Sequence, residues 1–198
     1  MTHFSTLLAP EALAAPDWVD RVRATFPESL IAVWGPEDEG IDEDEPRQIL
    51  EQVCEEVLSQ PEAIAHPGWN ELLRDVVALS CDYRELTEDA YFEALDPDDA
   101  ANDEGGVVEM IFDLGLSTIG DALKLLTYPA AVAREDWPEL VRHVLDEKKT
   151  RFGTGCFLSC GWEEADQLFE ADHVRSHRVA PDLWQYANAI LPLEGESP

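Results

Sequence analysis

The sequence predicts a mainly α-helical protein, and three observations lead to that prediction. Apolar residues recur at intervals of three and four along most of the chain. Proline, glycine and helix-capping residues separate these periodic stretches. Four of the six tryptophans stand at the start of such a stretch. We therefore expect a multi-helix bundle or an irregular array of helical repeats.

The individual helices follow from the apolar spacing, taken in chain order. The periodic stretches are 18–26, 30–34, 49–58, 69–79, 87–95, 119–126, 137–145, 162–169 and 183–191. Most have a Pro, Gly, Asp or Thr close to their first residue, as helix starts commonly do. Two further stretches, 107–112 and 155–160, are short and tolerant of β structure, so the sequence leaves a small β element open there.

Three tryptophans share an extended local pattern. Each is followed by an apolar residue at positions +4 and +8 and by an arginine at +5. The three sets are Trp18, Val22, Arg23 and Phe26; Trp69, Leu73, Arg74 and Val77; and Trp137, Val141, Arg142 and Leu145. Residues at i, i+4 and i+8 lie on one helical face, so each copy predicts an amphipathic helix with a buried indole. We expect the arginines to pair with neighbouring acids.

The tryptophan pattern has two interpretations, and the sequence leaves both open. It is similar to a degenerate helical repeat of the HEAT type, whose stacked helices form a concave binding surface. It is also typical of the residues with which unrelated helices begin. The intervals between the tryptophans are 51 and 68 residues, which is irregular and long for a HEAT unit.

The charge of the chain restricts its function. Asp and Glu number 43 against 13 Lys and Arg, for a formal net charge of -30. A protein that binds the nucleic-acid backbone needs a basic surface, so we expect no direct contact with nucleic acid. No uninterrupted apolar run is long enough to cross a membrane. The hydrophobic content of 45% excludes a disordered acidic tail.

Length and composition predict one acidic helical domain over residues 1–198. A subdivision near residues 97–106 is left open, and residues 193–198 are expected to form a flexible tail. Four cysteines are too few for a disulfide scaffold in a chain of this length. The amino terminus lacks the positive region of a signal peptide, so the sequence predicts a cytoplasmic protein.

Two acidic runs are the candidate partner-binding sites. The first is bounded by Pro36 and Pro46, and the second precedes Gly105 and Gly106. The carboxylates of the first run approach the linear charge density of a DNA strand, and both runs could dock on a basic groove. The competing interpretation is a pair of solvated loops, as in a salt-adapted proteome. The candidate contact residues are Glu37, Asp38, Glu39, Asp42, Glu43, Asp44, Glu45, Asp96, Asp98, Asp99, Asp103 and Glu104.

A Cys/His spacing provides a weaker candidate for a metal site. Cys156, Cys160, His173 and His177 follow the spacing of a C2H2 zinc finger. The likeness covers about twenty-two residues, and the finger's apolar core and basic helix do not match. The alternative is a pair of ordinary thiols near a helix with exposed histidines. We therefore expect no cofactor and name no metal ligands beyond these four.

The sequence favours a binding function over a catalytic one. Walker A, G-x-G-x-x-G and G-x-S-x-G motifs are absent, and no Ser/His/Asp set stands out. The expected function is to neutralise a basic protein partner, as an immunity protein does for a bacterial toxin or a phage inhibitor for a nucleic-acid-processing enzyme. The alternatives are a helical-repeat scaffold subunit of a larger assembly and a small zinc-binding module.

Overall fold

The computed structural model describes residues 3–27, 45–79, 119–152, 165 and 167–190. Of these residues, 75% are helical and none lies in a strand. The prediction of a mainly α helical array is therefore confirmed. The two stretches left open for β structure, the subdivision near 97–106 and the tail 193–198 lie outside the described residues.

The helices are numbered in chain order after a 3-10 turn at His3–Thr6. They are α1 (Pro10–Leu13), α2 (Trp18–Arg23), α3 (Glu45–Val53), α4 (Pro61–Ile64), α5 (residues 69–79), α6 (residues 119–126), α7 (Pro129–Val132), α8 (Trp137–Phe152), α9 (residues 167–170), α10 (Asp172–Arg175) and α11 (Ala180–Ile190). A π-helical turn, Cys54–Leu58, continues α3.

A twelve-residue connection, which we call a turn unit, occurs four times in the described ranges. Turn units 1 to 4 are residues 7–18, 58–69, 126–137 and 169–180. Each contains a helix of four residues and then a four-residue turn, after which a longer helix begins. The four-residue helices are α1, α4, α7 and α10. The structure thus favours the repeat interpretation of the tryptophan pattern.

The turn units have the same conformation because equivalent positions carry similar residues. The fourth position is Pro10, Pro61 or Pro129 in units 1 to 3, where its fixed φ suits the first helical turn. In all four units the twelfth amide N–H donates to the carbonyl of the ninth residue, at distances between 3.0 and 3.3 Å. A local backbone pattern therefore defines each unit.

Each turn unit joins an entering helix to a leaving helix, and together these three elements form one repeat. The entering elements of repeats 1 to 4 are His3–Thr6, α3, α6 and α9, and the leaving helices are α2, α5, α8 and α11. Successive repeats contact one another: His3–Thr6 packs on Cys54–Leu58, α4 on α7, α7 on α10, and α8 on α11.

One continuous apolar core holds the repeats together. It includes Trp18, Trp69 and Trp137, each with 0% of its surface exposed, and the apolar residues four positions later. Full burial of such side chains is the main source of stability in a helical array. The prediction that the three tryptophans anchor amphipathic helices is confirmed.

Candidate functional site

The indole of each tryptophan closes its own turn unit. Trp18 Nε1 donates to the carbonyl of Leu7, Trp69 Nε1 to Leu58, and Trp137 Nε1 to Leu126, and every bond is 2.9 Å long and buried. The first and twelfth positions of a unit are thereby joined. Because a buried indole N–H without an acceptor is costly, this bond determines both the place and the orientation of the ring.

The ninth position of a turn unit contacts the tryptophan of the preceding unit. His66 of unit 2 lies 4.2 Å from the Trp18 ring, between centroids. The Arg134 guanidinium of unit 3 lies 5.3 Å from the Trp69 ring centroid. His177 of unit 4 lies 4.9 Å from the Trp137 ring. A row of alternating indoles and nitrogen-rich side chains therefore connects all four units.

Arg134 makes the most extensive of these contacts. Its Nη1 donates to the carbonyls of Ile64 at 2.5 Å and His66 at 3.2 Å, which lie at the end of α4. Its Nε and Nη2 each donate to an oxygen of Asp136 at 2.8 Å. These hydrogen bonds and the Arg134 charge lower the pKa of Asp136. Arg134 thus satisfies the carbonyls at the end of α4 in repeat 2, and Asp136 in repeat 3 neutralises the charge of Arg134.

His66 is held in a single tautomer. Its Nδ1 accepts a hydrogen bond of 3.0 Å from the Gly68 amide N–H, so the neutral ring carries its proton on Nε2. Burial, and then the positive charge of Arg134, lower the pKa of His66. A Cβ on Gly68 would approach Val19 Cγ2 to 2.3 Å, so only glycine permits this approach of unit 2 to α2.

The leaving helices are linked by a second regular set of contacts. Arg23 of α2 pairs with Asp75 of α5 at 2.8 Å, and Arg142 of α8 lies 5.9 Å from the Tyr186 ring centroid of α11. The pKa of His143 on α8 is lowered, mainly by burial and next by the positive charge of Arg74 on α5. Positions are counted from the twelfth residue of each turn unit, which is Trp18, Trp69, Trp137 or Ala180. In each pair, the residue five positions after it on one leaving helix faces the residue six positions after it on the next.

Arg23 confirms the expectation that an arginine of the tryptophan pattern pairs with acids. Besides Asp75 it reaches Asp20 at 3.0 Å and Glu71 at 3.9 Å. These acids raise its pKa, the hydrogen bond with Asp75 being the main cause. Because its side chain is 43% exposed, we expect this ion pair to add little stability.

The order of elements gives the array two different edges. The turn units lie along one edge, since every entering helix ends there and every leaving helix begins there. The chain leaves the described ranges after Pro27 and after Leu79, at the far ends of α2 and α5, and returns at the starts of α3 and α6. Residues 28–44 and 80–118 are therefore both attached at the edge opposite the turn units.

All of the predicted partner-binding residues except Glu45 belong to these two segments. Glu37, Asp38, Glu39, Asp42, Glu43 and Asp44 lie outside the described residues, as do Asp96, Asp98, Asp99, Asp103 and Glu104. Glu45 is the first residue of α3. Of the candidate contact residues, the described part of the chain therefore includes Glu45 alone.

The histidines of the zinc-finger spacing have contacts within the array. His173 Nε2 is hydrogen-bonded to the carbonyl of Thr127, which joins turn units 4 and 3. The ring of His177 packs on Trp137, and its buried Nδ1 has no hydrogen-bond partner within the described ranges. Cys156 and Cys160 lie outside the described residues. In the part of the chain that the structure describes, no three His, Cys, Asp or Glu residues are grouped to hold a metal ion.

The ninth-position contacts are the feature that sequence reasoning missed. The turn units themselves have a signal in the sequence, which is a leucine eleven residues before each of Trp18, Trp69 and Trp137, a proline eight before and an alanine six before. In unit 4 these positions hold Phe169, Asp172 and Val174, and Ala180 replaces the tryptophan. The fourth repeat is therefore marked by its conformation and not by Trp162, which lies outside the described residues.

Comparison with protein families, with curated proteins and with solved structures gives no match for this chain. Within the ranges that the structure describes, none of the helices combines the length and the apolar character needed to traverse a bilayer. The function must therefore be argued from the arrangement of the repeats and from the distribution of charge.

Proposed function

We propose that this chain is a non-catalytic binding protein that engages a basic protein partner through acidic segments inserted between its helical repeats. The observation that carries the proposal is the uneven distribution of charge. Residues 28–44 contain seven acidic residues and no Lys or Arg, and residues 80–118 contain twelve acidic residues and one arginine. These two segments account for 18 of the 30 excess negative charges.

The spacing of the turn units marks both segments as insertions. Units 3 and 4 begin 43 residues apart, whereas units 1 and 2 begin 51 apart and units 2 and 3 begin 68 apart. The additional residues fall in the intervals that contain the acidic runs. In repeat proteins, insertions of this kind map to loops on one face, which is often the binding face.

The geometry of the array supports a contact at two neighbouring points. Both segments are attached at the same edge, one between repeats 1 and 2 and the other between repeats 2 and 3. Adjacent packed helices lie about 8–10 Å apart, so the two attachment points are separated by a distance of that order. Negative charge concentrated in this way steers a basic partner and accelerates its association.

Two matched variants test the proposal. The segment variant replaces the six carboxylates between Glu37 and Asp44 by their amides. The control variant does the same at six exposed carboxylates on the repeats: Glu11, Asp17, Glu56, Glu62, Glu135 and Asp182. Both variants lose the same charge, so a general effect of acidity cancels between them.

The measurement is affinity capture at physiological salt, followed by association kinetics with the captured protein. We expect the wild-type chain and the control variant to retain a basic protein that the segment variant loses. The association rate of the wild-type chain with that protein should fall at least about tenfold from 50 to 300 mM salt. Capture of neutral or acidic proteins, or equal loss in both variants, contradicts the proposal and favours solvated surface loops.

A second candidate function, a scaffold subunit of a larger assembly, is favoured by the stacking of the repeats. The side-by-side contacts of α8 with α11 and of α4 with α7 are those of an extended array. Such a subunit binds through its helical faces, so its captured partners persist in the segment variant. The same capture experiment therefore distinguishes the two functions.

A further inference from the structure

The contact between repeats 1 and 2 includes one imidazole, and we call the part of the contact around this ring the first joint. It comprises Trp18 and Val19 from repeat 1 and His66 and Gly68 from repeat 2. The His66 ring is inclined at 44° to the Trp18 ring, and its Nδ1 accepts the Gly68 N–H. Gly68 approaches Val19 so closely that a Cβ at this position would lie 2.3 Å from Val19 Cγ2. The hydrogen bond of this joint therefore requires an unprotonated Nδ1, as in the neutral form of the ring.

Protonation of His66 removes the hydrogen bond at Nδ1 and places a second positive charge near Arg134. Nδ1 becomes a donor and faces the Gly68 N–H, so the bond between them is lost. From repeat 3, the Arg134 guanidinium repels the new charge, although Asp136 partly neutralises Arg134. The face of Trp18 attracts a cation and so opposes these two effects. Burial and Arg134 together keep the pKa of His66 below its ordinary value, so the neutral ring is preferred.

The equivalent joints do not contain an imidazole that accepts a backbone N–H at Nδ1. Between repeats 2 and 3 the ninth position is Arg134, which stays charged at all relevant pH values. Between repeats 3 and 4 it is His177, whose Nδ1 has no hydrogen-bond partner among the residues that the structure describes. The first joint therefore differs from the other two in its chemistry as well as in its position.

We propose that His66 is a pH-sensitive contact whose protonation releases repeat 1 from repeat 2 while repeats 2 to 4 remain stacked. The direction of the pH effect follows from linkage. A histidine that is harder to protonate in the folded state stabilises the folded state at pH values above the ordinary histidine pKa of about 6.5. This contribution to stability is lost as the pH falls. Residues 28–44 connect α2 to α3 across this joint. Release therefore also changes the distance between the two ends of the first acidic segment, a consequence that rests on the proposed function.

Hydrogen–deuterium exchange of the intact chain tests the proposal without any partner. Exchange is measured at pH 7.5 and 5.5 and corrected for the intrinsic pH dependence of amide exchange. We expect the opening of residues 3–27 to increase about fivefold at the lower pH, the equivalent of one neutral hydrogen bond. Opening of residues 167–190 should stay unchanged. An equal response in both ranges, or none in residues 3–27, overturns the proposal.

Two variants separate His66 from the other histidines. The variant His66→Asn places an amide oxygen near the position of Nδ1, so it can accept the Gly68 N–H but cannot be protonated, and we expect it to abolish the response. The control His143→Asn, on α8, should respond as wild type does. A response that survives in His66→Asn contradicts the proposal. An NMR titration of the wild-type His66 ring provides a check that needs no variant. A titration midpoint at or above pH 6.5 also overturns the proposal.

Discussion

Replacement of Arg134 should destabilise the array more than replacement of any exposed arginine. The substitution Arg134→Met keeps the aliphatic stem and removes the guanidinium. It deletes the hydrogen bonds to the carbonyls of Ile64 and His66, the bidentate pair with Asp136 and the cation–π contact with Trp69. Because Arg134 is only 15% exposed, water replaces few of these contacts.

The expected loss in the free energy of unfolding is about 3 kcal/mol. Hydrogen bonds to a charged group contribute about 1.5–3 kcal/mol each, but those made by one side chain do not add fully. The cation–π contact adds about 0.5–1 kcal/mol, and the carboxylate of Asp136 is left without its main partner. Arg134→Lys should recover less than half of the loss, because an ammonium group cannot bind a carboxylate and two carbonyls in this fork geometry.

Urea denaturation followed by far-UV circular dichroism measures the effect. Arg23→Met is the matched control, since Arg23 also links adjacent repeats but is 43% exposed, and we expect it to lose less than about 1 kcal/mol. The double variant of Arg134 and Asp136 should reveal a coupling of about 1–2 kcal/mol. Equal losses in Arg134→Met and Arg23→Met would refute the view that the ninth position carries the inter-repeat contact.

Three further predictions concern the close approach at Gly68, the indole hydrogen bond and the net charge. Gly68→Ala should lower the free energy of unfolding by about 1–3 kcal/mol, because the new Cβ clashes with Val19. Asp17→Ala, at the equivalent position of unit 1, should change it by less than about 0.5 kcal/mol in the same urea assay. Trp137→Phe should cost about 2 kcal/mol, since it removes the hydrogen bond to Leu126 and leaves part of the indole volume empty; a change below 0.5 kcal/mol contradicts this. Raising sodium chloride from 10 to 150 mM should increase the melting temperature in calorimetry, because it screens the repulsion among 30 excess charges; a decrease would contradict this.

The helices and their buried faces could be predicted from the sequence because both depend on short-range patterns. Trp69, Leu73 and Val77 are spaced to share one helical face, and all three are buried as that spacing requires. The repeat was harder to recognise, since the intervals between tryptophans vary with the inserted segments and unit 4 has Ala180 in place of the indole. Only the shared backbone conformation makes the fourth copy evident.

The ninth-position contacts could not be predicted because their partners are distant in the sequence and chemically varied. His66 and Trp18 are 48 residues apart, and Arg134 and Trp69 are 65 apart. Histidine and arginine both serve at this position because each presents a flat nitrogen-bearing group to an indole face. A sequence pattern that requires one residue type would have found neither.

The two edges of the array are under different physical constraints, which explains where additional chain is inserted. At the turn edge, a Gly68 side chain would collide with Val19, each indole needs its carbonyl, and each ninth residue needs the preceding ring. An insertion there would break several of these contacts at once. At the opposite edge the helices are joined by segments whose length varies by up to 25 residues relative to the shortest repeat interval. Loop closure costs little more for a long insertion than for a short one, so that edge tolerates additional chain. It is therefore the part of the molecule where charge can be concentrated without disturbing the contacts that hold the repeats together.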